Sequence, residues 1–136
     1  MEKDFILKLS KENPNAVLVG SLGNICKYLD EIDHKEKILV RGAMGCAMAV
    51  GLGYALGSEK QVIVIIGDGA LLMKMGTMAT LLRHPLKNLR VEIIDNGTYN
   101  SCGGQQTNYK YIKDLFSHDR IGDYPWTHPV PSPFSW

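Results

Sequence analysis

The sequence predicts an α/β fold, a parallel sheet flanked by helices on both faces. Three observations carry that expectation. Gln61-Val-Ile-Val-Ile-Ile66 is apolar at consecutive positions, the pattern of a strand covered on both sides. Other short apolar runs, Ala16 to Val19, Lys37 to Val40 and Leu89 to Ile94, are separated by segments of helical periodicity, and such alternation builds a parallel sheet. The segments Gly20 to Asn24, Arg41 to Gly45, Gly67 to Ala70 and Asp95 to Gln106 each follow a strand. In a parallel sheet they gather beyond the carboxyl ends of the strands, where such sheets bind ligands.

The elements follow in order. Phe5, Ile6 and Leu9 recur at helical spacing and predict a short opening helix, which Asn13-Pro14-Asn15 ends. Ala16 to Val19 is the first strand and Gly20 its turn. Asn24 is placed to cap a helix running through Ile25, Tyr28 and Leu29. Lys37 to Val40 is the second strand. Gly42 then opens a helix from about Ala43 to Leu56, apolar over most of its circumference. A helix of that kind needs cover on every side, which predicts an oligomer. Gly45, Gly51, Gly53 and Gly57 weaken it by up to about 1 kcal/mol each relative to alanine, and are read as permitting a close helix–helix approach. After the central strand, one helix from Leu71 to Leu82 is ended by His84-Pro85. Leu89 to Ile94 is the fourth strand, and Asn108 to Phe116 is expected as a last helix. Asp123 to Trp136 contains four prolines and reads as an irregular tail, leaving residues 1–122 as the folded domain.

Composition narrows the classes of function. At 136 residues with 45% apolar content, the chain suffices for one domain with a core. Fifteen basic and 14 acidic residues without a charged tract call for neither nucleic acid nor an anionic membrane as partner. The longest apolar stretch, Ala43 to Leu56, is interrupted by glycines and too short for a bilayer. The charged Met1-Glu2-Lys3-Asp4 is not a secretory signal. Cys26, Cys46 and Cys102 are odd in number and form no CxxC pair, which reads as reduced thiols in a cytoplasmic protein. The four histidines lack metal-ligand spacing.

The chemistry centres on Gly67-Asp68-Gly69, directly after the buried strand and before a helix. The glycines permit close approach and backbone angles that a side chain would block, and the first amides of the helix, near Ala70, are free to hold a phosphate. Asp68 and a phosphate can share the place only with a cation between them, and a hard divalent ion takes oxygen ligands from both. On the tripeptide alone, an ordinary Asp-Gly turn remains an equal reading. Asp95-Asn96-Gly97 ends the next strand, and Asn96 follows Asp68 by 28 residues. One helix plus one strand returns the chain to the same edge of the sheet. Asn-Gly also suits a simple turn, but a hairpin is not expected, because Thr98-Tyr99-Asn100-Ser101 is polar and does not alternate.

Gly-Asp-Gly followed by an asparagine one βα unit later resembles the signature of thiamine diphosphate (ThDP) enzymes. The stretch from Gly67 to Thr107, with Asp95-Asn96-Gly97-Thr98-Tyr99-Asn100-Ser101-Cys102-Gly103-Gly104-Gln105, is similar to the sulfopyruvate and phosphonopyruvate decarboxylases, over about residues 16 to 107. The resemblance implies that Asp68 and Asn96 ligate Mg²⁺ by side chain and Thr98 by its carbonyl. Gly67, Gly69 and Ala70 would border the diphosphate, the last two donating amides. Gly42 would accept a hydrogen bond from the aminopyrimidine, and Met44 would sit under the cofactor and keep its rings bent together. Met48, Met73, Met75 and Met78 are read instead as core filler. Leu22, Gly23, Asn24 and Tyr99 would line the cofactor site. Arg41, Ser101 and Gln105 would meet the substrate, a small 2-oxo acid with an anionic tail. Cys102 lies near the cofactor without an identifiable base.

ThDP enzymes of this kind build each site from two domains. The resemblance therefore implies a pyrimidine-domain partner subunit that carries the activating glutamate, in a hetero-oligomer, since Glu2, Glu12, Glu31, Glu36, Glu59 and Glu92 lie outside every motif above. The sequence departs from the decarboxylase pattern after Gln105, and has Gln106 where that family often has proline. Two other readings stay open: an acetolactate-synthase-like carboligase subunit, and a cofactor-binding subunit without turnover.

Overall fold

A computed structural model of the chain describes residues 1–84, 86–116 and the backbone of 121–125. Five parallel strands, β1 (Val17–Gly20), β2 (Glu36–Leu39), β3 (Val62–Gly67), β4 (Leu89–Asp95) and β5 (Ile121–Pro125), form one sheet in the order β2-β1-β3-β4-β5. The helices are α1 (Glu2–Glu12), α2 (Asn24–Glu31), α3 (Ala47–Leu56), α4 (Asp68–Met73) and α5 (Gly76–Arg83).

Side-chain alternation along the strands sorts the core into two layers. Val17, Val19, Val62, Val64, Ile66, Val91 and Ile93 face one way and pack with α3, α4, α5 and Tyr109. Leu18, Ile63, Ile65 and Ile94 face the other way and pack with Ile6 and Leu9 of α1 and Ile25 and Leu29 of α2. This two-sided cover is why β3 is apolar at every position. His34 is consumed by structure: its Nε2 donates to the Ala16 carbonyl at 2.8 Å, and its Nδ1 accepts from the Ser10 hydroxyl at 2.8 Å.

Several expectations need correction. Asn24 does not cap α2 with its side chain; Gly23 is the cap residue, at φ 83°, and Asn24 is the first helical residue. The helix expected from Ala43 begins only at Ala47, because Gly45 takes φ +84° and turns the chain. The helix expected over Leu71 to Leu82 is two helices broken at Lys74 and Met75. That break leaves Met73 and Met75 50% and 44% exposed, so they are not core filler, whereas Met48 and Met78 are buried. The segment expected as a helix after Asn108 is a pair of 3₁₀ turns, Tyr109–Tyr111 and Lys113–Phe116. It starts from Asn108 at φ 61° and is anchored by Tyr109, while Tyr111 and Leu115 are exposed. β5 crosses the expected domain boundary and occupies the first residues of the expected tail; residues 126–136 lie outside the described residues. Among the described residues no helix is long and apolar enough to cross a membrane.

Gly51 serves a helix–strand approach rather than the expected helix–helix one. A Cβ there would lie 2.1 Å from Val64 Cγ2, so α3 sits on β3 at glycine distance. Gly51→Ala should therefore destabilise the chain by about 1–3 kcal/mol through overpacking, despite the better helix propensity of alanine. Combining it with Val64→Ala should recover part of that loss. A double-mutant cycle by urea unfolding checks this; strictly additive effects would show that the two positions do not press on one another.

Candidate active site

The loops after β1, β2, β3 and β4 meet at the carboxyl edge of the sheet around a cleft of about 430 Å³, a size usual for small-molecule sites. Its centre follows from register. Gly67 of β3 pairs with Ile94 of β4, so the turn entering α4 and the turn leaving β4 stand side by side.

Asp68 is the first residue of α4 and is 1% exposed. Its Oδ2 accepts the Thr107 hydroxyl at 2.5 Å, and the amides of Gly69 and Asn96 also donate to the carboxylate. Burial pushes its pKa above the usual carboxylate range. The Thr107 hydroxyl pulls it back, the nearby Asp95 raises it, and the two amides lower it. A buried carboxylate beside a second acidic group is one that a bound cation stabilises. Asn96 stands beside it, its Oδ1 accepting the Thr98 amide at 2.9 Å and, at the long distance of 3.5 Å, the Thr98 hydroxyl; an ion at this oxygen would replace the weaker hydroxyl contact. No cluster of three His, Cys, Asp or Glu able to hold a metal occurs among the described residues. The donor set is thus one carboxylate with amide and carbonyl oxygens, which suits a hard ion that keeps waters and phosphate oxygens in its shell. These residues fit Mg²⁺ bound together with a diphosphate.

Gly69 must be glycine for reasons of space. A Cβ would lie 2.7 Å from the Tyr99 ring and 3.3 Å from Thr107 Cγ2. Gly67 has ordinary extended angles, φ −76° and ψ 152°, so the special backbone expected there is not used. The segment from Gly97 to Thr107 also departs from expectation. Tyr99 N–H donates to the Gln105 carbonyl at 2.8 Å, and Thr107 N–H to the Gly97 carbonyl at 2.9 Å. With the antiparallel bridge Thr98–Gln106, these close a small hairpin-like loop despite its polar sequence.

Of the residues singled out from the sequence, the cleft gathers Leu22, Gly23 and Asn24 after β1, and Gly67, Asp68, Gly69 and Ala70 after β3. Asn96, Thr98, Tyr99 and Ser101 line it after β4, beside Cys102, and Met44 faces it while also packing on the core. Three residues are not brought in. Arg41 is exposed and pairs with Asp30 at 2.8 Å, on a shallow pocket formed with Cys26 and Lys27 rather than in the cleft. Gln105 folds its amide over Gly103. Gly42 is exposed and lines no wall of the cleft.

Sequence reasoning missed Thr107, Tyr28 and, above all, Glu2. Glu2 lines the cleft at 7% exposure. Extending the helical stripe Ile6, Leu9 back by one turn puts Glu2 on the buried face, and that was the available signal.

The comparisons with known proteins bear on this geometry. The family described as thiamine pyrophosphate enzyme, C-terminal TPP binding domain, matches residues 23–127. The chain belongs to that family. It is 40% identical over 100 residues to a phosphonopyruvate decarboxylase of Streptomyces hygroscopicus, covering 73% of this chain and 25% of that one. It is 38% identical over 108 residues to a sulfopyruvate decarboxylase of Methanosarcina acetivorans, covering 79% and 28%. A third relative, sulfopyruvate decarboxylase subunit beta of Methanocaldococcus jannaschii, is 39% identical over 105 residues, covering 75% and 56%. The chain thus spans about a quarter to just over half of the length of these relatives. A 2-oxoglutarate:ferredoxin oxidoreductase structure from Magnetococcus marinus shares the fold, with a TM-score of 0.63 at 21% identity over 77% of this chain and 37% of that one. The match to the thiamine pyrophosphate-binding family runs through the turns that follow β3 and β4.

Glu2 gives this domain a pH signature. Burial raises its pKa from 4.5 to about 7, against the opposing pull of the amino terminus. The folded state then binds more protons than the unfolded state between those values, so stability falls as pH rises through that window. Raised Asp68 and Glu92 act in the same sense. Urea unfolding from pH 5 to pH 8 should show a loss on the order of 3 kcal/mol from Glu2, which Glu2→Gln removes. A profile that rises with pH, or that Glu2→Gln leaves unchanged, would contradict this.

Proposed function

We propose that the chain is the ThDP- and Mg²⁺-binding subunit of a 2-oxo acid decarboxylase acting on a substrate of the sulfopyruvate or phosphonopyruvate type. The observation that carries this reading is the register that sets buried Asp68 beside Asn96 in the cleft. In it, Asp68, Asn96 and the Thr98 carbonyl hold Mg²⁺, and the first amides of α4 face the diphosphate. Met44, which lines the cleft and packs against the core, supports the cofactor from below. When bound, ThDP supplies a thiazolium carbon that adds to a keto group and takes up the electrons released with CO₂.

The partner in this proposal is a pyrimidine-domain subunit. Three relatives from methanogens are named as beta subunits. α3 also leaves Val50 and Leu56 37% and 60% exposed, an apolar edge that another chain can cover. Asp68 and Glu2 are the charged side chains on the cleft wall. Burial raises the Glu2 pKa to about 7, so the group is about half protonated at neutral pH, and we assign the activating glutamate to the partner. The three cysteines are unpaired, and we place the complex in the cytoplasm.

Two experiments test the reading. ThDP with Mg²⁺ at about 100 times its dissociation constant should add about 2.7 kcal/mol of stability, a shift of several degrees in Tm. Asp68→Ala should abolish the shift and Asn96→Ala should reduce it. A wild-type chain with no shift, alone or with its partner, removes the proposal. In a CO₂-release assay the isolated chain should be inactive, and the reconstituted pair should turn over sulfopyruvate or phosphonopyruvate faster than pyruvate. Turnover by the chain alone would overturn the split site, and equal turnover of pyruvate would overturn the anionic tail.

A further inference from the structure

Thr107 lies 39 residues beyond Asp68, yet its hydroxyl donates to Asp68 Oδ2 at 2.5 Å in a buried environment. Its bonding is directional. The Thr107 oxygen accepts the Tyr109 amide at 3.4 Å, which occupies a lone pair and leaves the hydroxyl proton for the carboxylate. Tyr109 is 2% exposed and belongs to the core cluster on one face of the sheet, so the donor is anchored in the core. The Thr107 amide in turn donates to the Gly97 carbonyl at 2.9 Å, closing the loop that begins next to Asn96. Its methyl group lies against Gly69, where a Cβ would come within 3.3 Å.

One residue therefore touches all three parts of the metal site: the carboxylate of Asp68, the turn at Gly69, and the base of the loop that presents Asn96 and Thr98. We propose that Thr107 is a positioning residue. It fixes the orientation of the Asp68 carboxylate and fastens the Gly97–Thr107 loop, so that the metal ligands from β3 and β4 are in register before any ion arrives. Hydrogen bonds that hold a ligating carboxylate in place strengthen the ligand by removing the cost of orienting it on binding. The inference rests on the reading of Asp68 and Asn96 as Mg²⁺ ligands.

The test uses Thr107→Val, which keeps the shape and loses the hydroxyl, and Thr107→Ser, which keeps the hydroxyl. Both are studied as the full chain with its partner subunit. Mn²⁺ binding is followed by electron paramagnetic resonance with ThDP present, and amide hydrogen exchange is followed without ligands. Thr107→Val should raise the Mn²⁺ dissociation constant by about 10- to 100-fold and speed exchange across Gly97–Thr107, while Thr107→Ser should stay within a few-fold of wild type in both. Wild-type affinity and exchange in Thr107→Val would overturn the proposal. So would a folded Thr107→Ser variant whose Mn²⁺ dissociation constant is raised about 10-fold or more, a result that stands even where Thr107→Val fails to fold. A wild-type protein that binds no Mn²⁺ with ThDP overturns the functional reading itself, and is distinct from a wild type that binds and a valine variant that binds equally well.

Discussion

The pairing of β3 with β4 governs the site. Parallel strands cannot be joined by a short turn; the chain must cross over and start again at the same edge. Here the crossover consists of α4 and α5, and β4 returns with Gly67 opposite Ile94. A slip by one residue would turn Ile93 and Ile94 to the wrong layers of the core, since they belong to opposite hydrophobic clusters. The core therefore enforces the register, and the register delivers Asp68 and Asn96 to one place. The amide of Asn96 reaching the Asp68 carboxylate is the local expression of that constraint.

Into this frame the fold sets a carboxylate that it does not fully compensate. Asp68 is buried just beyond β3, whose residues from Val62 to Ile66 are all aliphatic. A hydroxyl and two amides satisfy part of its acceptor capacity, and its pKa still lies above the normal range because desolvation outweighs them. Glu2 extends the same polarity to the wall formed by α1. Proton uptake relieves such groups; in the proposed function a divalent ion would do so for Asp68. Stability given up to bury a charge is thus recoverable on binding, the usual bargain of a ligand site built into a core.

What could be read from the sequence was whatever depends on local pattern plus one crossover. The β3 run, its following Gly67-Asp68-Gly69, and Asn96 a βα unit later suffice to place the centre of the cleft. What could not be read depends on tertiary competition. Leu71, Met75, Met78 and Leu82 form an unbroken helical stripe in sequence, and nothing in that stripe announces the break at Lys74. Arg41 was read as a partner for an anion, but Asp30 on α2 stands nearer and takes its guanidinium. Thr107 became meaningful only when the loop closed on itself, bringing a hydroxyl 39 residues along the chain to Asp68. Glu2 lies outside every sequence motif, and only the orientation of α1 on α2 and the sheet buries it.

The displacement of Arg41 from the cleft has a further consequence for how the site must be completed. Among the described residues that line it, the charged side chains are Asp68 and Glu2, and no lysine, arginine or histidine is present. In the proposed function a diphosphate would enter such a cleft together with its counter-ion, held by Asp68. A sulfonate or phosphonate tail has no such escort. Tyr99, Asn100 and Ser101 offer this cleft neutral polar groups, which orient an anion without balancing its charge. An anion taken out of water beside an acidic wall needs a cation, and a guanidinium matches these tetrahedral groups best. In the proposed complex the cation for the substrate tail, like the activating glutamate, therefore comes from the pyrimidine-domain subunit. On this reading the present chain holds the cofactor and its metal, and the partner both activates the cofactor and selects the substrate.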